Sequence, residues 1–300
     1  MQQESLYLHD GEHQLHLRHI WNNVKGIPVL MLHGTIENGK IFYTESGKGL
    51  ACYLAEQGFD VYVADFRGKG QSKPAIKNKQ NHGQHEMITR DIPKFIDFIT
   101  ERSQQKLHVV CHSWGGIVLA SCLVRFPECL SQVASNVCFG TKRRVLVKGM
   151  NKFLKVDLVW KTLAPYLAKR RGYLDAKRLK LGADSETLSF IEQSVAWVKP
   201  GIWRDPIDGF DYQAASKNII WPATWHITGV KDKVLGHAHD VQAFIAESYN
   251  KQAKFSLLAK NSGNAVDYDH IDILTHPQAL NDHFPSVVQW VTQHSAAYDV

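Results

Sequence analysis

Leu107-His108-Val109-Val110-Cys111-His112-Ser113-Trp114-Gly115-Gly116 is the stretch where one kind of secondary structure changes abruptly into another. The apolar run that ends at Cys111 is typical of a strand, and an apolar spacing typical of a helix begins directly after the glycines. A strand that turns at once into a helix holds Ser113 at the apex in a strained conformation, with its hydroxyl exposed above the helix N-terminus. Gly115 and Gly116 let the helix and the strand lie close together.

Five further apolar runs predict strands on either side of this turn. They are residues 27–32, 59–64, 133–139, 223–228 and 253–259. Continuous apolar runs are typical of parallel strands that are buried on both faces. The helices predicted between them are residues 48–57, 84–102 (with a kink at Pro93), 237–249 and 278–293. Right-handed connections between such units predict an α/β fold, a mostly parallel sheet covered by helices on both faces.

A β-hairpin is predicted near the N-terminus, where residues 5–9 and 13–20 flank Asp10-Gly11. The region is also rich in histidine, which suggests a metal site as one interpretation: His9, His13, His16 and His19. The alternation along the second strand instead places Leu15 and Leu17 on one face and His16 with Arg18 on the other. We therefore expect a solvated strand face here.

The composition is that of a globular protein. Of 300 residues, 44% are hydrophobic and 21% are charged, which suits one large α/β domain with an inserted subdomain, or two small domains. No apolar run approaches the roughly 20 residues of a membrane-spanning helix, and the first residues show no secretory signal. The five cysteines lie in apolar segments, which predicts buried, reduced thiols and a cytoplasmic protein.

Positive charge is concentrated in one segment. Residues 140–182 contain 13 lysines and arginines and two aspartates, so they carry a net +11 and the rest of the chain a net −5, for a total of +6. The strand pattern disappears from residue 140 to about residue 216, and residues 145–167 have the apolar spacing of a helix. Four aromatic residues are predicted to add surface to this segment: Trp160, Tyr166, Trp197 and Trp203.

Two motifs resemble those of the α/β-hydrolase family. Residues 111–115 resemble its G-x-S-x-G nucleophile elbow, with Cys111 in place of the first glycine. His33-Gly34-Thr35 resembles its HG-x loop. The resemblance implies an α/β-hydrolase core, residues 1–139 and 217–300, and a helical cap inserted at residues 140–216.

A glycine-rich turn follows the predicted strand at residues 59–64. Residues 65–72 resemble the D-x-R-G-x-G-x-S turn of the same family, and we expect Asp65 and Arg67 to pair and fix this loop. Its spacing differs from that of the nucleotide-binding motif G-x-x-x-x-G-K-[ST], and no helix follows directly. Phosphate binding is therefore not favoured.

Acyl transfer at neutral pH requires an activated nucleophile, a base with a pKa near 7 and a group that orients the base. The sequence offers Ser113, Asp232 and His270, in the chain order of the α/β-hydrolases. Asp232 follows a predicted strand after a short turn, and His270 follows the next strand, where the family has its acid and its base. The resemblance therefore implies a catalytic triad of these three residues.

Other residues stay open for two of these roles. The alternatives are Asp208 and Asp211 for the acid, and His237 and His276 for the base. We interpret His112, which precedes the nucleophile, as a supporting residue. Cys111 lies two residues from the apex of the turn and is excluded as the nucleophile.

The resemblance also implies the groups that surround the reacting ester. The backbone N–H groups of Thr35 and Trp114 would bind the oxyanion, a contribution of roughly 3 kcal/mol per donor. The residues expected to line the substrate pocket are His33, His112, Met150, Phe153 and Trp160. Nothing in the sequence suggests a metal or an organic cofactor.

Together these inferences predict a serine hydrolase that cleaves a carboxylic ester with an apolar acyl group. The same triad would serve an acyltransferase or a thioesterase, and a non-catalytic ligand-binding protein is the alternative from another class. A serine nucleophile argues against the dehalogenase and epoxide-hydrolase branches, which use aspartate. The expected partner is a small acyl ester. The basic cap is either a solvated face or a contact for an anionic lipid or membrane surface or for an acyl substrate with a negative charge, such as a phosphate or a coenzyme-A tail. Nucleic-acid binding is not expected.

Overall fold

The computed structural model describes residues 1–22 and 26–295, so residues 23–25 and 296–300 of the predicted core lie outside the described residues. The strands are β1 (Gln2–Asp10), β2 (His13–Trp21), β3 (Pro28–Leu32), β4 (Asp60–Asp65), β5 (Leu107–His112), β6 (Val133–Phe139), β7 (Tyr173–Leu174), β8 (Glu186–Thr187), β9 (Ala223–Gly229) and β10 (Lys254–Leu258). β7 and β8 pair with each other. The other strands form one sheet in the order β1-β2-β4-β3-β5-β6-β9-β10.

The large sheet is mostly parallel, as predicted. β1 and β2 form the predicted antiparallel hairpin, and β2 pairs antiparallel with β4. The other neighbouring strands run parallel. Every residue of β3, β4 and β5 is buried. A strand that is covered on both faces needs a continuous apolar run, which is why these strands are recognisable in the sequence.

Helices cover both faces of the sheet, which confirms the predicted α/β fold. Their bounds are α1 (Leu50–Glu56), α2 (Gln84–Glu86), α3 (Ile92–Ser103), α4 (Trp114–Arg125), α5 (Pro127–Gln132), α6 (Met150–Lys152), α7 (Ala164–Arg171), α8 (Leu188–Val198), α9 (Tyr212–Ala215), α10 (Ala238–Glu247), α11 (Asp272–Thr275) and α12 (Phe284–Ser295), with π-helical segments at Met87–Asp91 and Phe153–Leu163. One apolar cluster joins α1 and α12 to the sheet, and another joins α3, α4 and α10. Within the described ranges, no helix combines the length and the hydrophobicity needed to cross a bilayer.

The helix predicted over residues 84–102 is present, but its irregularity lies before Pro93. α2, the π-helical turn Met87–Asp91 and α3 follow one another without a break. Proline lacks the N–H that would bond to the carbonyl four residues earlier, and its ring crowds that carbonyl. The wider π turn accommodates this defect, and Pro93 lies in the first turn of α3.

The prediction of a solvated histidine face on β2 is wrong. His16 is fully buried; its Nδ1 bonds to Asp65 Oδ2 at 2.8 Å and its Nε2 to Ser5 Oγ at 3.0 Å. His19 is buried as well, and its ring stacks on Tyr62 with a centroid separation of 4.4 Å. The reason is that side chains of the two neighbouring strands contact these rings: Ser5 on β1, and Asp65 and Tyr62 on β4.

Residues 140–216, called the insertion below, leave the large sheet after β6 and return to it before β9. The helix predicted over residues 145–167 begins later and runs through α6, a π-helical segment and α7. The first basic residues of the insertion do not contribute to its surface, because Lys142 and Arg143 are buried. Arg143 Nε donates to Glu247 Oε2 on α10 at 2.8 Å, which ties the start of the insertion to the core.

Two of the aromatic residues expected at the surface of the insertion are buried. Trp197 is 2% exposed and Trp203 is fully buried, whereas Tyr166 is exposed as predicted. The ring of Trp203 stacks on Tyr212 at a centroid separation of 5.5 Å and meets Phe244 of α10 edge-on at 5.5 Å. These rings fill the space between the insertion and the core helices, so they are packing residues.

Candidate active site

Ser113 lies between β5 and α4 in a backbone conformation that residues other than glycine rarely adopt. Its φ is 51° and its ψ is −118°. Its N–H donates to Phe139 O at 2.7 Å, and its carbonyl oxygen accepts from Thr141 Oγ1 at 3.0 Å. Strain of this kind persists only where the surroundings fix the conformation. The predicted sharp turn is present, and residues at the end of β6 hold it in place.

The glycines after Ser113 allow the predicted close packing. A Cβ on Gly115 would lie 2.4 Å from Leu32 O, and one on Gly116 would lie 2.2 Å from Thr141 Oγ1. Cys111, which replaces a glycine of the family motif, is fully buried in the apolar core. A small apolar side chain fits at this strand position, so the replacement leaves the turn intact.

Asp232 and His270 form a buried hydrogen-bonded pair. His270 Nδ1 donates to Asp232 Oδ2 at 2.5 Å. Burial acts to raise the pKa of Asp232, but the adjacent His270 outweighs it and lowers this pKa to about 2. For His270, burial prevails over the attraction of Asp232, and the pKa lies below its usual 6.5. At neutral pH the pair is a carboxylate and a neutral imidazole, whose Nε2 carries the lone pair that a base needs.

Gly140 lies next to this pair and close to Ser113 in the chain fold. It follows Phe139, whose carbonyl oxygen accepts from the N–H of Ser113. A Cβ on Gly140 would lie 2.9 Å from His270 Nδ1 and 3.8 Å from Asp232 Oδ2. Phe139, at the end of β6, therefore bonds to Ser113, and Gly140, directly after it, borders His270 and Asp232 so closely that a side chain at residue 140 would collide with the imidazole ring.

The HG loop lies against Ser113. A Cβ on Gly34 would lie 2.8 Å from the Cβ of Ser113, so only glycine allows the loop backbone to come this close. The N–H of Gly34 donates to Glu37 Oε2 at 2.8 Å. Thr35 is the next residue, and its backbone therefore belongs to the part of the loop that borders Ser113.

Glu37 and His112 form a buried ion pair beside the triad, and Glu37 is the functional candidate that the sequence did not reveal. His112 donates from Nδ1 to Glu37 Oε2 and from Nε2 to His270 O, both at 2.8 Å. A ring that donates from both nitrogens is protonated. Burial acts to lower the pKa of His112, but the Glu37 carboxylate outweighs it and raises this pKa. Burial acts to raise the pKa of Glu37, but the positive charge of His112 outweighs it and lowers this pKa to about 2. His112 thus holds the backbone of His270 through this hydrogen bond, and its supporting role in a reaction stays a prediction.

The expected pairing of Asp65 with Arg67 is wrong. Asp65 Oδ1 accepts from the N–H of Gly39 at 2.7 Å, and its Oδ2 accepts from the N–H of Gln71 at 2.9 Å. The guanidinium of Arg67 instead bonds to Asp91 through Nε at 2.8 Å. The backbone donors and His16 occupy the oxygens of Asp65, so the loop is fixed through a different set of contacts.

The residues expected to line the pocket lie in two different settings. His33 is buried; its Nδ1 donates to Gly34 O at 2.9 Å and its Nε2 accepts from Phe66 N at 3.3 Å, so the ring braces the HG loop. Met150 and Phe153 are exposed on the insertion, whereas Trp160 is half-buried with its indole N–H on Ser194 Oγ at 3.1 Å. Their role towards a substrate stays a prediction.

The alternative acids and bases lie in structural contacts of their own. Asp208 bonds to Arg125, and Asp211 caps α9 through the N–H of Ala214 at 2.8 Å. His237 and His276 each accept from a backbone N–H two residues further on. None of these contacts involves Ser113 or Gly140, and Asp232 with His270 remains the pair that adjoins the elbow.

One group of side chains in the described part of the chain has the composition of a metal site: His85, Asp205 and Asp208. Protein groups already bind these atoms. His85 Nδ1 bonds to Asp205 Oδ2 at 3.0 Å, and the hydroxyl of Tyr212 donates to the same oxygen at 2.6 Å. Arg125 supplies the positive charge at Asp208, so the cluster is accounted for as an ion-pair network.

Comparison with known sequences defines the family. Residues 27–180 match the sequence model of the alpha/beta hydrolase fold. The match covers more than half of the chain, and the chain therefore belongs to the α/β-hydrolase family.

Individual relatives share a shorter segment. Sterol esterase 2 of Saccharomyces cerevisiae is 31% identical over 100 residues, which are 31% of this chain and 19% of that protein. Triacylglycerol lipase 2 of Arabidopsis thaliana is 31% identical over 98 residues, which are 30% of this chain and 23% of that protein. The matched part of this chain spans about a fifth of the length of these curated relatives.

Solved structures match over nearly the whole chain. A soluble variant of monoglyceride lipase from Saccharomyces cerevisiae, in complex with a substrate analog, has a TM-score of 0.69 at 16% identity, covering 98% of this chain and 96% of that one. The alpha/beta hydrolase GrgF from Penicillium sp. sh18 has a TM-score of 0.65 at 11% identity, covering 99% of this chain and 100% of that one. At these identities the likeness shows the shared fold.

Proposed function

We propose that the protein is a serine hydrolase that cleaves carboxylic esters with an apolar acyl group through Ser113, His270 and Asp232. The observation that carries the proposal is the buried 2.5 Å hydrogen bond between His270 and Asp232, beside the strand end that also holds Ser113. The strained turn at Ser113 and the neutral state of His270 supply the nucleophile and the base that acyl transfer requires.

In the proposed reaction, His270 Nε2 removes the proton of the Ser113 hydroxyl as Oγ attacks the ester carbonyl carbon. The backbone N–H groups of Thr35 and Trp114 bind the developing oxyanion, at roughly 3 kcal/mol per donor. His270 then protonates the leaving alcohol, and the acyl group stays on Ser113. A water molecule then gives a proton to His270 as its oxygen adds to the acyl carbon, and His270 returns that proton to Ser113 Oγ as the acid leaves. Asp232 holds the proton on Nδ1 throughout and so keeps Nε2 available.

Aromatic side chains support an apolar acyl group. The ring of Trp114, next to the nucleophile, lies 6.1 Å from Trp197 and 6.5 Å from Phe190, both on α8 of the insertion. The names of the relatives, a sterol esterase and a triacylglycerol lipase, point to esters of the same kind. The proposal therefore includes a division of the chain into a hydrolase core, residues 1–139 and 217–300, and a cap over the site, residues 140–216.

A lipid surface is the second partner in this proposal. The helix from residue 150 to residue 171 exposes apolar side chains: Met150, Phe153, Leu154, Leu158, Leu163, Tyr166 and Leu167. Lys148, just before this helix, and Lys155, within it, are exposed as well. Apolar side chains flanked by lysines favour binding to an anionic lipid surface. We propose that the enzyme takes its ester from such a surface.

The cysteines support a cytoplasmic setting. All five are buried and form no disulfide: Cys52, Cys111, Cys122, Cys129 and Cys138. Disulfides are rare in reducing compartments, where buried thiols stay free. We include the cytoplasm in the proposal on this ground.

The function is tested with p-nitrophenyl esters of graded acyl chain length and a fluorophosphonate probe. Wild type should hydrolyse the esters and take up the probe, and Ser113→Ala should lose about 10⁴-fold in kcat together with the labelling. Ser131→Ala, which changes an exposed serine on α5, is the matched control and should resemble wild type.

Four outcomes would redirect the proposal. Retention of more than a few per cent of turnover in Ser113→Ala would show that another group is the nucleophile. Faster acyl transfer to an added alcohol than to water, or faster cleavage of the matching thioester, would favour the acyltransferase or the thioesterase. A wild type that binds the esters without cleaving them would favour the non-catalytic alternative.

A further inference from the structure

Ile36 has an unusual backbone conformation in the HG loop. Its φ is 53°, in the left-handed region. A β-branched side chain is especially unfavourable there, because its two γ atoms crowd the backbone. Ile36 directly follows Thr35, the proposed oxyanion donor. A relaxation of Ile36 to an ordinary φ would therefore rotate the peptide beside Thr35.

The insertion supplies the contacts that hold Ile36 in this conformation. The N–H of Ile36 donates to Glu186 Oε1 at 2.6 Å. Its carbonyl oxygen accepts from the N–H groups of Ala183 at 2.8 Å and Asp184 at 3.0 Å. The approach is close enough that a Cβ on Gly182 would lie 2.5 Å from this oxygen. Both backbone groups of one strained residue are thus bound by one short segment of the insertion.

Glu186 is itself fixed by the core. It is 1% exposed, and its Oε1 lies 2.5 Å from Lys69 Nζ, which is equally buried. Lys69 also donates to Ser185 O at 2.6 Å. A buried carboxylate requires such a counter-charge, because burial without a partner is costly. The position of the Glu186 oxygen is therefore set by the loop that follows β4.

We propose that Glu186 is a positioning residue, through which the insertion holds the oxyanion loop in its strained, catalytically competent form. The inference rests on the proposed function, since it assumes that the N–H of Thr35 serves the oxyanion. The insertion then has a role in the chemical step besides covering the substrate. Its segment 182–187 completes the oxyanion site in a way that the core alone does not.

Glu186→Ala removes the acceptor, and we expect kcat to fall by about 10- to 100-fold with little change in KM. Loss of one whole oxyanion donor, about 10²–10³-fold, is the upper bound. The affinity for an alkyl trifluoromethyl ketone, which forms an oxyanion on the serine, should fall by a similar factor. Glu186→Gln keeps an oxygen within reach of the Ile36 N–H and should retain most of kcat. Glu192→Ala, an exposed glutamate of α8, is the matched control and should behave as wild type.

The decisive measurement is Glu186→Ala in the Ile36→Gly background. Glycine adopts a φ of 53° without strain, so the loop no longer needs the hydrogen bond from Glu186 to hold this conformation. In this background, Glu186→Ala should lower kcat by less than about threefold. An equal loss in both backgrounds, or equal losses in Glu186→Ala and Glu186→Gln, would overturn the proposal. If wild type cleaves esters and Glu186→Ala has the same kcat, the positioning role of Glu186 is contradicted and the proposed function is not. A wild type that neither cleaves esters nor binds the ketone contradicts the proposed function as well.

Discussion

His270 is the residue whose protonation would control the proposed reaction, and burial and Asp232 act on its pKa in opposite directions. Burial prevails, so this pKa lies below 6.5. Because only the neutral imidazole accepts the Ser113 proton, kcat/KM should rise with pH and level off once the pH exceeds this pKa. We expect a midpoint below pH 6.5, measured as initial rates on a neutral ester between about pH 4 and pH 8. A flat profile would contradict a histidine base.

His112 offers a matched variant for the same measurement. Its positive charge acts to lower the pKa of His270, to whose carbonyl oxygen it is bonded. His112→Gln removes the charge and keeps an amide N–H, so the midpoint of the profile should move to higher pH. His237→Gln at the start of α10 is the control and should leave the midpoint in place. A midpoint that moves to lower pH in His112→Gln would contradict the ion-pair interpretation.

Three residues of the candidate site have a signal in the sequence, because each comes soon after a recognisable strand. Ser113, Asp232 and His270 each follow a strand, and ends of parallel strands meet at one edge of a sheet. Glu37 and Glu186 carry no such signal. Their partners lie 75 and 150 positions away, and only the folded chain brings them together. The predicted pairing of Asp65 with Arg67 was wrong because backbone N–H groups bind the Asp65 carboxylate instead. Every residue type except proline has such a group, so the sequence does not show which of them will donate.

At the scale of elements, the turn between β5 and α4 depends on Gly115, which lies directly against the backbone of residues 32 and 33. A Cβ on Gly115 would lie 2.4 Å from Leu32 O and 2.6 Å from His33 O, and backbone oxygens of a buried strand cannot move away. We expect Gly115→Ala to lower the free energy of unfolding by about 1–3 kcal/mol and to reduce kcat by displacing Ser113. Thermal unfolding and ester hydrolysis together measure both effects.

Gly209→Ala is the control for this substitution. Gly209 has a φ of 76°, and a Cβ there would meet no atom within 4 Å, so its cost is backbone strain alone, about 1 kcal/mol. Its kcat should stay at the wild-type value. An active, fully stable Gly115→Ala would show that the helix and the strand are not in tight contact at the elbow.

β2 shows why an element can be found correctly while its environment is misjudged. The alternation from His13 to Trp21 identifies a strand, but it does not report which strands lie beside it. A polar face next to Tyr62 and Asp65 of β4 becomes a buried hydrogen-bonding layer. Alternation alone therefore does not show that the polar face of a strand is solvated, because side chains of neighbouring strands can cover it.

At the scale of the whole molecule, the sheet and its helices follow from the sequence, whereas the internal packing of the insertion does not. Buried parallel strands carry a local signal in their continuous apolar runs. The insertion packs through contacts between aromatic residues that are far apart in the sequence. Its tryptophans are therefore predicted at the surface, although in the fold other aromatic rings cover them. Trp197 and Trp203 are the clearest cases, since both pack with Tyr212 near the return to the core.

The charge distribution of the whole molecule leads to a prediction about the proposed lipid surface. Lys152 and Lys161 both pair with Asp157, at 2.5 and 2.8 Å, so part of the positive charge of the insertion is already neutralised. Lys148, two residues before the helix that begins at Met150, and Lys155, within that helix, are exposed. Replacing both by Gln should weaken binding to phosphatidylserine vesicles about 10- to 30-fold, at roughly 1 kcal/mol per lysine. Sedimentation with the vesicles measures this binding.

Two controls distinguish attraction of this particular face to the lipid surface from an effect of net charge: a salt titration and a second pair of lysines. The Debye length falls from ~10 Å at 0.1 M to ~3 Å at 1 M salt, so wild-type binding to anionic vesicles should weaken steeply over this range. Lys251 and Lys260 are exposed outside the insertion, and replacing both by Gln makes the same change in net charge. That variant should bind as wild type does, because electrostatic attraction to a lipid surface depends on which face approaches it. Equal losses in the two double variants, or binding that does not respond to salt, would leave the insertion as a cover for the ester site without a lipid-binding face.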